Sequence, residues 1–194
     1  MDKRILICIF VLIKLCKMKK ILAFGASSSK KSINKTLASF AANQIENSNI
    51  NLLDLNDFEM PIYSEDYENE NGIPKAAFQF KKELNSSDGI IISFAEHNGA
   101  YTAAFKNIFD WISRVEKIVW CNKPMMLLST SDGDRGASSV LKIAHERISK
   151  GSPFDIPVFS LPNFNRNFNL DTGIINHDLK KEFNACVYLF KKNL

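Results

Sequence analysis

From Lys20 onward, short apolar runs alternate with segments whose apolar residues recur at helical spacing. The runs Ile21–Phe24, Ile50–Leu55, Ile90–Phe94, Met125–Thr130 and Ile156–Leu161 are nearly continuous in hydrophobic side chains. Strands have this character when helices cover both faces of a parallel sheet. Between them, Ile33, Leu37, Ala41 and Ile45 repeat every four residues, and Ala77, Phe80 and Leu84 form a second stripe. Phe105, Ile108, Phe109 and Ile112 make a third, Leu141, Ala144 and Ile148 a fourth, and Leu179, Phe183, Val187 and Phe190 a fifth. Each predicts an amphipathic helix. The stretch Pro61–Gly72, with Glu65, Asp66, Glu68 and Glu70, shows neither pattern. It reads as a solvated connection, with a cover over a ligand or a neighbouring subunit as the alternative.

Strict alternation of strand and helix predicts an α/β three-layer sandwich around an open parallel sheet. Right-handed crossovers leave few topologies, and the five-stranded solution expected here is the flavodoxin-like order 2-1-3-4-5. Residues 18–194 suffice for one core of this kind. The first 17 residues stand apart. Ile5–Ile13 is an unbroken apolar run behind a basic start, too short for the roughly 20 residues that span a bilayer. Lys14-Leu15-Cys16-Lys17 has the wrong chemistry for a cleavage or lipoprotein site. Residues 1–17 are therefore read as an upstream-start extension, with a membrane-tethering leader as the alternative.

That extension also inflates the net charge of +4. It holds Lys3, Arg4, Lys14 and Lys17 against Asp2, which leaves 21 basic and 20 acidic residues in the remainder. A balanced body gives no electrostatic case for a nucleic-acid partner, and no membrane partner is expected. Cys121 and Cys186 alone remain outside the extension, without CxxC or Cys/His clustering. Neither a disulfide framework nor a metal site is expected, and a reducing cytoplasm fits.

In a doubly wound sheet the ligand sits beyond the carboxyl ends of the strands, so the loops after the first, third and fourth strands carry the information. After the first comes Gly25-Ala26-Ser27-Ser28-Ser29-Lys30-Lys31-Ser32-Ile33-Asn34, running directly into a helix. A helix N-terminus offers unpaired amides and a positive dipole end, and small hydroxyl residues add donors, so a phosphate is the natural guest. The plainer reading is that Ser32 caps the helix and Lys30 and Lys31 lie in solvent. GxGxxG and GxxxxGK[ST] are both absent, which argues against a Rossmann dinucleotide site and a nucleotide-hydrolysing P-loop.

After the third strand runs Ala95-Glu96-His97-Asn98-Gly99, followed by Phe105-Lys106-Asn107, Asp110 and Trp111. This segment resembles the PEYN and LKNxxDW pattern of the NAD(P)H-dependent FMN reductases, whose members include quinone, azo-dye and chromate reductases. The first loop is then similar to that family's GSxRxxSxN phosphate loop, with Ser32, Asn34 and Leu37 agreeing once one residue is inserted before Ser32. Ala26 stands for the usual Ser and Ser28 for the usual Arg. Ser129-Thr130-Ser131-Asp132-Gly133-Asp134-Arg135-Gly136 is similar to STSPGGRG, with Asp132 for Pro and Asp134 for Gly.

The resemblance covers nearly all of residues 19–192 and implies FMN as cofactor, NADPH or NADH as co-substrate, and a small-molecule electron acceptor. It implies the FMN phosphate in the first loop, held by Ser27, Ser29, Ser32 and Asn34. The isoalloxazine edge would meet Ala95, Glu96, His97, Asn98 and Gly99, with Ser131 and Gly133 on its other side. His97, where the family has Tyr, is a candidate auxiliary donor; the alternative is a loop residue of which only the backbone matters. Lys106 and Asp110 are read as helix packing and pairing, and Trp111 as a dimer contact in a homodimer or homotetramer. The competing functions are a flavodoxin-type electron carrier and a non-catalytic flavin-binding regulator.

Overall fold

A computed structural model of the chain describes residues 18–194. Residues 1–17, and the reading of them as an extension or leader, lie outside the described residues.

Five parallel strands form the central sheet: β1 (Lys19–Ala26), β2 (Ser48–Leu53), β3 (Gly89–Phe94), β6 (Met125–Thr130) and β7 (Val158–Leu161). They lie in the order β2-β1-β3-β6-β7, which is the expected 2-1-3-4-5. All six residues of β3 and all six of β6 are buried, as is β1 from Ile21 onward. Because strand side chains alternate between faces, these buried runs feed two cores. Leu22, Phe24, Ile92 and Leu127 pack with α3 (Lys75–Ser86), α4 (Ala103–Val115) and α5 (Ser138–Ile148) through Phe80, Phe105, Ile112 and Val140. Ile21, Ala23, Ile91 and Leu128 pack on the other face with α1 (Ile33–Ala42) and α7 (His177–Asn193) through Leu37, Ala41, Phe183 and Phe190.

The outer strands differ from expectation at their ends. The second strand begins at Ser48 and stops at Leu53, because Leu55 belongs to a 3-10 turn, Leu55–Phe58, capped by the Asp54 carboxylate. The fifth begins at Val158 rather than Ile156. Helix α1 ends at Ala42, and Ile45 reaches the core from the turn that follows.

The stretch 61–72 is solvent-facing, as expected, with no buried residue in its helix, but it is not an irregular loop. It contains α2 (Glu65–Asn71), whose N-cap Ser64 accepts from the Tyr67 amide and whose first turn carries Glu65, Asp66 and Glu68 at the positive dipole end. The segment is latched onto α4. Trp111 is fully buried beneath it, donates its indole N–H to the Pro61 carbonyl at 2.7 Å, and meets Tyr63 and Tyr67 edge-on. Arg114 clasps Glu68 at 2.9 Å, and Asn107 donates to the Met60 and Pro61 carbonyls. Trp111 therefore packs within the chain, which corrects its reading as a dimer contact. Lys106 and Asp110 do pair, at 2.7 Å across one helical turn.

Two small hairpins complete the fold. One pairs β4 (Glu96–His97) with β5 (Ala100–Tyr101); the other pairs β8 (Phe168–Asn169) with β9 (Gly173–Ile174), just after the short helix α6 (Phe164–Asn167).

Candidate functional site

Strands β1, β3 and β6 are neighbours in the sheet, so the loops that leave their carboxyl ends open onto one crevice. At the usual strand spacing, β1 and β6 stand roughly 10 Å apart.

The first loop turns sharply out of β1. The Ser27 amide donates to the Gly25 carbonyl at 2.8 Å, and the Ser29 amide to the Ser27 hydroxyl oxygen at 3.1 Å. Ser32 caps α1 by accepting from the Lys35 amide at 3.2 Å. Ser27 and Ser32 are buried, whereas Ser28, Ser29, Lys30 and Lys31 are exposed. A hydroxyl that accepts one hydrogen bond keeps its own proton to donate. Both buried serines are thus donors in waiting beside the first-turn amides of α1, which have no partner within the helix. That set suits an acceptor-only guest such as a phosphate ester. Gly25 makes the close approach of helix and strand feasible, because a methyl group there would lie 2.4 Å from the Lys35 amide nitrogen.

Asn34 does not face this cradle with its side chain. It is 2 % exposed, donates to the Thr130 carbonyl, accepts from the Thr130 amide, both at 3.0 Å, and accepts from the Ser93 hydroxyl at 2.7 Å. Its role is to pin the start of α1 to the ends of β3 and β6, and only its backbone amide is left for the ligand side.

The second loop is a hairpin, β4–β5, with Asn98 and Gly99 at positive φ, 51° and 76°, the pattern of a two-residue type I′ turn. Its tip, His97 to Ala100, is exposed, while Ala95 and Glu96 are half-buried. The Glu96 carboxylate accepts from the Val140 amide at 3.0 Å and so caps α5, whose N-cap, Ala137, has no side chain to do it. Thr102 fixes the other side, donating to the Ala26 carbonyl and capping α4 through the Phe105 amide. Glu96 thereby offers backbone rather than carboxylate to the crevice.

The third loop is buttressed by α6. The Phe164 amide donates to the Ser131 carbonyl and the Asn163 amide to the Gly133 carbonyl. Asp132 and Asp134, the two departures from the family pattern, are taken up by Asn165 at 2.7 Å and Asn163 at 2.9 Å. Ser131 accepts from the Gly133 amide at 3.3 Å, again leaving a hydroxyl proton free. Gly136, at φ 55°, is packed so closely on the backbone of Leu161 and Pro162 that a side chain would collide with it.

The sequence-expected residues are therefore gathered at one edge of the sheet, and Ser93, Thr102 and Thr130 join them as anchors that sequence reading missed. Thr102 had a signal, a hydroxyl residue immediately before an apolar helical stripe. Beside the first loop, a cleft of about 520 Å³ lies between Ser28, the Leu55–Pro61 strap and the first turns of α4, with Leu55, Phe58, Met60 and Ile108 as its apolar walls. Among the described residues, no group of three or more His, Cys, Asp or Glu side chains is placed to hold a metal, and no helix is long and apolar enough to cross a membrane.

A doubly wound parallel sheet in the order 2-1-3-4-5, with the loops after β1, β3 and β6 opening side by side, defines a flavodoxin-like α/β protein. The profile of the NADPH-dependent FMN reductases matches residues 19–167, and the chain belongs to that family. It is similar to the 2-hydroxy-1,4-benzoquinone reductase of Burkholderia sp, 35% identical over 80 residues, which are 41% of this chain and 43% of that relative. The chain thus aligns with less than half the length of that relative. It is 24% identical to the NADPH azoreductase of Bacillus sp. (strain OY1-2) over 177 residues, 89% of this chain and 95% of the relative. In fold it resembles FerB, a flavoenzyme NAD(P)H:(acceptor) oxidoreductase from Paracoccus denitrificans, with a TM-score of 0.69, 21% identity, and coverage of 91% and 99% of the two chains. An azoreductase from Bacillus anthracis str. Sterne superposes with a TM-score of 0.60 at 14% identity, covering 90% and 100%.

Proposed function

We propose that this chain binds FMN and moves electrons from NADPH or NADH to a small-molecule acceptor of the quinone or azo class. Family membership supports the reaction, and the donor set of the first loop carries the cofactor assignment: Ser27 and Ser32 with free hydroxyl protons at the N-terminus of α1. In this reading Ser27, Ser29, Ser32 and the amide of Asn34 hold the phosphate. Ala95, Glu96, His97, Asn98 and Gly99 present backbone to the ring edge, and Ser131 and Gly133 close the opposite side.

Bound FMN would supply the hydride chemistry itself. The chain's own work is to bind, orient and polarise. The exposed turn at Asn98 and Gly99 lets main-chain amides approach a planar ligand, where a preorganised donor stabilises negative charge as it develops. His97, exposed on the same turn, is in this reading an auxiliary donor to the acceptor. The cleft beside Ser28, walled by Leu55, Phe58, Met60 and Ile108 with Asn56, Glu59 and Asn107 among them, is the candidate seat for a ring-shaped acceptor bearing hydrogen-bonding groups. The assembly we propose is a homodimer or homotetramer in a reducing cytoplasm.

The test is steady-state oxidation of NADPH and of NADH by the FMN-loaded chain, with a benzoquinone as acceptor. Turnover supports the oxidoreductase. FMN binding without turnover would instead leave an electron carrier or a flavin-binding regulator.

A further inference from the structure

A second cleft, of about 230 Å³, lies at the opposite edge of the sheet, between the segment joining α4 to β6 and the C-terminal end of α5. Met125, the first residue of β6, forms part of its wall, so the cleft is one strand length, roughly 17 Å, from Thr130 and the flavin crevice. Lys117, Lys123, Arg147 and Lys150 line it, and no carboxylate does. Outside residues 1–17 this chain has 21 basic and 20 acidic residues, so the gathering of four cations here is far from its average. None of the four makes an ion pair among the described residues. The carboxyl ends of α4 and α5 offset them by about half a charge each, which leaves an excess of positive charge.

The cleft also has an aromatic wall and a braced backbone. Trp120, half-buried, lies nearly parallel to Phe105, with 8° between planes, and 5.4 Å from Phe109. The Arg147 guanidinium sits over the Phe109 ring at 5.7 Å. From behind, the buried Lys81 draws the Ile118 and Val119 carbonyls to its ammonium group and pairs with Glu116 at 3.1 Å. Those carbonyls, which would repel an anion, are thereby occupied. Cys121 and Asn122 follow at φ 57° and 50°, two successive left-handed non-glycine residues that bend the segment around the cleft.

We propose that this cleft is a binding site for an aromatic phosphate monoester no larger than a nucleoside monophosphate, separate from the FMN crevice. The ring lies against the half-buried Trp120, and the phosphate, with a charge of about −1.5 to −2 at neutral pH, sits among Lys123, Arg147 and Lys150.

Isothermal titration calorimetry on the full chain, with excess FMN so that the first site is filled, tests this with AMP, phenyl phosphate, inorganic phosphate and adenosine at constant ionic strength. One equivalent of AMP or phenyl phosphate binds at least tenfold more tightly than adenosine or inorganic phosphate. The pair Lys123→Ala and Arg147→Ala weakens that binding at least tenfold, whereas Lys75→Ala with Lys180→Ala, which removes the same charge from exposed positions outside the cleft, changes it less than twofold. Absence of a saturable signal, equal binding of adenosine or inorganic phosphate, or an equal loss in both double variants overturns the proposal. FMN affinity, measured separately, stays at the wild-type value in both; a parallel fall would show that the esters were reporting the flavin crevice and would overturn it too. Should FMN itself fail to bind, the titration is read without it, so the two assignments fail independently.

Discussion

Asn34 and Thr130 exchange two hydrogen bonds, side-chain amide against backbone amide, each 3.0 Å long. The pair works like one rung of an extra strand. It ties the first turn of the helix after β1 to the end of β6 and, through Ser93, to β3 between them. Replacing Asn34 by Ala orphans the buried Thr130 amide and the Ser93 hydroxyl, at a cost of about 2–3 kcal/mol. Asn34→Ala should unfold at lower denaturant with an unchanged slope and bind FMN at least tenfold more weakly, because the cradle is displaced. Denaturant titration and flavin fluorescence quenching check both.

Glu96 and Val140 couple the β4–β5 hairpin to α5. Glu96→Ala removes the only side-chain cap that helix has among the described residues, for about 1 kcal/mol of stability. Glu96→Gln keeps an acceptor and should recover most of it. If the carboxylate touched the flavin instead, the Gln variant would lose cofactor affinity as badly as the Ala variant, which a parallel FMN titration distinguishes.

Tyr101, at the end of the same hairpin, has its hydroxyl buried with no partner among the described residues, and burial pushes its pKa to about 12. Tyr101→Phe removes an unsatisfied polar group while keeping the ring that packs on Phe94 and Phe105. The variant should be more stable by about 1 kcal/mol. In a spectrophotometric titration the wild type should show a phenol titrating at about 12, and the variant should lack it.

Lys35, in the first turn of α1, reaches across to Asp54 at 2.6 Å. That hydrogen bond, with a second from the Asn56 amide, holds the Asp54 carboxyl below its ordinary value. A carboxyl lowered on folding stabilises the native state above the unfolded value, about 4, and loses that contribution as pH falls through its lowered native value. Asp54→Asn should therefore be less stable than wild type at pH 7, with the difference shrinking as pH falls below about 4. Chemical denaturation from pH 3 to pH 7 measures it.

The five sheet strands and their order could be read from the chain because β1, β3 and β6 are buried on both faces, which calls for nearly continuous apolar sequence, broken only where a buried hydroxyl such as Ser93 or Thr130 finds a hydrogen-bond partner. Helix α2 could not, since Glu65–Asn71 has no apolar stripe and owes its helix to the Ser64 cap and to contacts with Trp111 and Arg114 brought from α4. For the same reason Trp111 looked free for a partner: the strap that buries it arrives from 50 residues away. The β4–β5 hairpin escaped notice although Asn98-Gly99 is its signature, because two-residue strands show no alternation. At the site, residue types were legible but partners were not. Asn34 stands 96 residues from Thr130 and Glu96 stands 44 from Val140, so the bonds that tie each side chain to the scaffold had no signal in the local sequence.

The central claim, that the turn after β1 cradles the phosphate of FMN, is tested most directly by comparing FMN with riboflavin, which has the same ring and no phosphate, in equilibrium fluorescence titrations of the purified chain. FMN should bind stoichiometrically and at least a hundredfold more tightly than riboflavin, and Ser29→Asp, which sets a negative charge at the mouth of the turn, should erase most of that margin. Equal affinity for the two flavins, or a margin untouched by Ser29→Asp, would contradict the claim.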